Sequence, residues 1–97
     1  MGSWLIERRL AKVGSRLRAL RDELATVDEQ ILHFVDDADD LAVRALVSET
    51  PMASHESTDA RKHVDAMCRH RDHLVAEIAD LEVRQDRLLD QLTQRAR

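Results

Sequence analysis

Residues 6–41 read IERRLAKVGSRLRALRDELATVDEQILHFVDDADDL, and their apolar side chains recur in alternating steps of four and three. Ile6, Leu10, Val13, Leu17, Leu20, Leu24, Val27, Ile31, Phe34, Ala38 and Leu41 keep that alternation without a miss. A mean step of 3.5 residues holds one seam of an α-helix against a partner helix, whereas a half-buried strand would need a period of two. The spacing therefore predicts a helix from about Ser3 to about Val47, with Ser3 as its N-cap. Leu10, Leu17, Leu24, Ile31 and Ala38 take the a positions, and Ile6, Val13, Leu20, Val27, Phe34 and Leu41 the d positions. Gly14 stands off the seam and costs about 1 kcal/mol against Ala, too little to interrupt so long a pattern.

The pattern stops at Ser48-Glu49-Thr50-Pro51, which contains the chain's one proline. Proline cannot continue a helix but suits the first position of a new one, with threonine ahead of it as N-cap. A second helix is expected from Pro51 to about residue 95, after a connection of about residues 48–50. An alternative start near Ser57 stays open, because Ser54, Ser57 and Thr58 are also capping residues. The returning stretch carries Ala60, Val64, Met67, Arg71, Leu74, Ile78, Leu81, Gln85, Leu88 and Leu92, again in three-four steps.

A short turn demands antiparallel neighbours. Folding about Glu49 pairs Leu10 with Leu88, Leu17 with Leu81, Leu24 with Leu74 and Ile31 with Met67. It also pairs Ile6 with Leu92, Leu20 with Ile78 and Phe34 with Val64. A slip of one heptad, placing Leu17 against Leu88, also matches apolar to apolar but needs a longer loop. The expected inner core is Leu17, Leu20, Leu24, Leu74, Ile78 and Leu81. Two layers are off-pattern, with Gln85 facing Val13 and Arg71 facing Val27. Both polar side chains are read as laying their stems over the seam and sending their heads to water.

Composition supports this architecture and excludes others. With 97 residues, 35% of them charged, and one Trp, one Phe and no Tyr, the chain has the make-up of long helices and little of the aromatic material strands favour. It reads as a single all-α hairpin domain. No apolar run approaches the roughly 20 residues of a membrane-spanning helix, and no signal-peptide pattern is present. The lone cysteine, Cys68, excludes an internal disulfide and points to a cytoplasmic setting. A net charge of −4 argues against direct nucleic-acid binding.

The chain carries more apolar surface than one seam consumes. Cys68, Val75 and Leu89 share a flanking position of the second helix, and Leu32, Val35, Leu46, Trp4 and Leu5 lie off the line of the first. Contiguous exposed apolar patches mark interaction surfaces. The expectation is a homodimer, two hairpins forming a four-helix bundle about a two-fold axis.

Charge is segregated along the fold. Residues 1–24 hold six cations and three acids, and residues 25–50 hold seven acids against Arg44 alone. Residues 51–72 hold four of each sign, and residues 73–97 four cations and five acids. The half near the turn thus carries −6 and the half near the termini +2. Asp36, Asp37, Asp39 and Asp40 form a block that offers a partner surface. One reading is an acidic finger entering RNA polymerase or another nucleic-acid enzyme, since the gross shape resembles the coiled-coil fingers of Gre- and DksA-type factors. Those factors add a globular domain, and the DksA type a cysteine-rich zinc site, that this sequence lacks. Trp4, Leu5, Ile6 and Leu10 among Arg8, Arg9 and Lys12 make a basic amphipathic start, from which a peripheral membrane contact is a further alternative.

His70, His73 and Glu77, spaced three and four apart, share one helical face and are weak metal-ligand candidates. His63 precedes His70 by a heptad. No Gly-rich phosphate loop, nucleophile elbow or zincin motif occurs, and a bare hairpin offers no deep pocket, so neither enzyme activity nor a cofactor is expected. The predicted function is a protein–protein interaction or scaffold module, with itself and a further protein as partners.

The opening Gly2-Ser3-Trp4-Leu5-Ile6-Glu7-Arg8-Arg9-Leu10, the Ser48-Glu49-Thr50-Pro51 turn and the closing Arg84-Gln85-Asp86-Arg87-Leu88-Leu89-Asp90 resemble small actinobacterial coiled-coil proteins. The resemblance spans most of the chain and implies a helical hairpin without implying an activity. Secreted helical hairpins of similar length carry Trp-x-Gly at the turn, which this turn lacks.

Overall fold

A computed structural model describes residues 2–96. Two helices account for nearly all of them: α1, Gly2–Ser48, and α2, Pro51–Arg95. The chain is an all-α helical hairpin. Contacts divide it into two units, Met1–Leu24 with Leu74–Arg97 and Ala25–His73, and both helices run through both. We call them the terminal unit and the turn unit.

The reversal is tighter than expected. Ser48 is the last residue of α1, so the connection is Glu49 and Thr50 alone. Glu49 adopts the left-handed conformation (φ 51°), and its N–H donates to the Ala45 carbonyl at 3.1 Å. This is the helix-ending geometry usually given to glycine. Thr50 then caps α2, its Oγ1 accepting from the Ala53 N–H at 3.1 Å, while Pro51 occupies the first helical position, where no N–H is missed. The alternative start near Ser57 is thereby excluded. Ser54, Ser57 and Thr58 lie inside α2, and the Thr58 hydroxyl donates to the Ser54 carbonyl. At the other end α1 already includes Gly2, so Ser3 sits in the first turn rather than ahead of it as the cap.

Burial follows the heptads. Every a and d residue from Ile6 to Leu41 and from Ala60 to Leu92 is buried or half-buried. In the terminal unit Leu17 and Leu20 are each only 1% exposed, with Ile6, Val13, Leu74, Ile78 and Leu88 also buried. Leu24 and Leu81, expected in the inner core, are half-buried. A two-helix seam has no third layer above it, so a seam residue keeps one side open unless neighbouring stems cover it. In the turn unit Val27, Ala38, Ala53 and Val64 are buried.

Contacts across the helices decide the register. Phe34 meets His63 edge-to-face with centroids 4.5 Å apart, and Arg61 pairs with Asp39 at 3.2 Å. Both fit the alignment that sets Phe34 against Val64. The one-heptad slip would put Phe34 opposite Arg71, eight residues or about 12 Å along α2 from His63. That slip is excluded.

Candidate functional site

In the turn unit, the off-pattern Arg71 keeps its head at the surface as expected, its side chain 41% exposed, and finds a partner there. It reaches across the seam and donates through Nε to Asp28 Oδ1, a residue beside Val27 in the layer that Arg71 faces. The hydrogen bond to Asp28, and then the Asp28 charge, raise the guanidinium pKa above its ordinary value against a smaller opposing effect of desolvation. The sequence reading missed this pair. Its signal was an acid at the flanking position next to the seam residue opposite an arginine. Gln85 is half-buried at its seam position in the terminal unit.

The four aspartates of the acidic block all stand at the surface of the turn unit. Asp39 is held by Arg61, and Asp36, Asp37 and Asp40 have no ion-pair partner among the described residues. Leu32 is 69% exposed on the outer side of α1. It precedes Asp36 by four residues and follows Glu29 by three, so one outward face of this helix carries an apolar tip between acids.

The off-seam apolar residues divide between the units. In the turn unit Val35 and Cys68 are half-buried, while Leu46 is largely exposed. In the terminal unit Val75 and Leu89 remain 42% and 46% exposed. At the start of α1, Trp4 is 63% exposed, with the Arg8 guanidinium 5.6 Å from its ring centroid, and Leu5 is 43% exposed. Val43, Val47, Met52 and Val83 are further exposed apolar side chains that the sequence reading did not single out. They follow from helix phase, since each lies outside the a and d positions.

The metal candidates do not assemble. Glu77 accepts from Arg16 Nη2 at 3.0 Å across the helices, and His73 sits in a shallow hollow with Arg69 and Asp72. Among the described residues no group of three or more histidine, cysteine or carboxylate side chains is placed to hold a metal ion. Nor is any helix among them long and apolar enough to cross a membrane.

The terminal unit has one feature that sequence reading passed over. Arg9, Lys12, Arg16 and Arg84 surround a depression of about 230 Å³ floored by Val13 and Leu81. The antiparallel register creates it. Arg16 faces Glu77, so one heptad back on α1 and one forward on α2 Arg9 comes to face Arg84. Arg9 and Arg84 thus line one depression with the same sign of charge, which is mutually repulsive, and the half-buried Leu81 lines the same space.

Comparison with known proteins adds no family: the chain matches no family model, no curated protein and no solved structure.

Proposed function

We propose that this protein is a non-enzymatic interaction module that self-associates through the apolar flank of α2, two hairpins completing a four-helix bundle in the cytoplasm. The observation that carries the reading is the exposure of Val75 and Leu89 beside a seam whose every position is already buried or half-buried. Fully burying such a side chain is worth about 1.5–3 kcal/mol, and each of these leaves close to half of that unrealised within its own chain. Small domains commonly recover such a deficit by association. The hollows on the surface are shallow and run between the two helices, a form suited to a partner helix more than to an enclosed small substrate.

Sedimentation equilibrium of the purified chain tests the reading. In about 1 M salt the wild type is expected to behave as a pair of copies, and Val75→Lys/Leu89→Lys as single copies that keep their helical circular dichroism. A wild type that remains a single copy in that salt at all attainable concentrations overturns it.

A further inference from the structure

We infer that the basic depression of the terminal unit receives the Leu32 face of α1 from the turn unit of a second copy. This contact is separate from the Val75/Leu89 flank. The receiving surface has an apolar floor, Val13 and Leu81, ringed by Arg9, Lys12, Arg16 and Arg84. Only Arg16 of those four cations has an ion-pair partner among the described residues, Glu77. The face offered has the inverse arrangement. Leu32, 69% exposed, projects between the exposed acids Glu29 and Asp36, with Asp39 one further turn along.

The charges of the units agree with this pairing, +2 for the terminal unit and −6 for the turn unit. An acidic face seated there relieves the repulsion between Arg9 and Arg84, a conflict that the fold of one chain leaves uncompensated. It also covers an apolar tip and an apolar floor at once. The knob and the depression are different surfaces, so two copies can exchange them reciprocally about a two-fold axis or pass the contact on from copy to copy.

Sedimentation velocity across ionic strength tests the contact, using two variants with exposed substitutions, Arg9→Glu/Arg84→Glu and Glu29→Lys/Asp36→Lys. The wild type is expected to form species larger than its salt-resistant form. Their association constant should fall about tenfold or more between 0.1 M and 1 M salt, as the screening length contracts from about 10 Å to about 3 Å. Each variant alone should show only the salt-resistant form, with helical circular dichroism unchanged. An equimolar mixture should regain the larger species, because it restores one native contact and adds a charge-swapped one.

The inference is overturned if the wild type has no salt-sensitive species, if either variant alone retains them, or if the mixture fails to regain them. The salt-resistant form, single or paired, reports separately on the Val75/Leu89 flank. Failure of that proposal is thus distinguishable from failure of this one.

Discussion

Replacing Leu20 by alanine probes whether the seam of a single hairpin carries the stability of the fold. Leu20 is 1% exposed in the chain by itself, so the substitution removes a fully enclosed side chain rather than one shared with solvent. Large-to-small changes at such sites cost about 2–5 kcal/mol, through the lost transfer energy and the cavity left behind. The seam lies between only two helices, and its walls can move inward more easily than those of a multilayer core. That places the expected cost near the middle of the range, about 3 kcal/mol. Leu24, one turn further along α1 but only half-buried, should cost about half as much when replaced by alanine. Urea unfolding followed by circular dichroism, with the shift in midpoint read at constant slope, gives both values. Repeating it across protein concentrations separates the seam from any association, whose contribution depends on concentration. A cost for Leu20→Ala below about 1 kcal/mol, or one no larger than for Leu24→Ala, would refute the argument that the depth of the seam sets the stability.

Three further predictions concern the turn, the helix interior and the off-pattern layer. Thr50→Ala should destabilise the hairpin by about 1 kcal/mol by leaving the Ala53 N–H without its cap, whereas Glu49→Gly should stabilise it by about 1 kcal/mol by relieving a left-handed non-glycine residue; thermal unfolding measures both. Gly14→Ala should stabilise by about 0.8–1.0 kcal/mol, since a Cβ there meets only the Arg18 Nη1 at 3.9 Å; a loss of stability in urea unfolding would show that the position is crowded. Asp28→Ala should lower the melting temperature only slightly, since the side chains of the two partners are 41% and 47% exposed, and adding Arg71→Leu to it should more than recover the loss by completing the apolar seam; a double variant no better than Asp28→Ala would contradict that account.

Much of the architecture was legible because the signals are local. The three-four spacing from Ile6 to Leu41 and from Ala60 to Leu92 marks two helices and their inward faces, and Thr50-Pro51 marks where the second begins. Only the sum of propensity, period and capping is needed to read them. Less was legible where one helix answers the other. Glu49 offers no sequence hint of a left-handed backbone, since glycine or asparagine is the usual occupant. His70, His73 and Glu77 share a helical spacing, yet Arg16, 61 residues before Glu77, claims that carboxylate.

The order of the residues by itself determined the two helices, their seam and the short antiparallel return, because each rests on periodicities of three to seven residues. Tertiary structure decided which flanking charges meet. It paired Arg71 with Asp28, gave Glu77 to Arg16, and left Arg9 facing Arg84 over Val13 and Leu81. Those outcomes depend on the register between segments tens of residues apart and on where long side chains can reach. No local pattern contains that information.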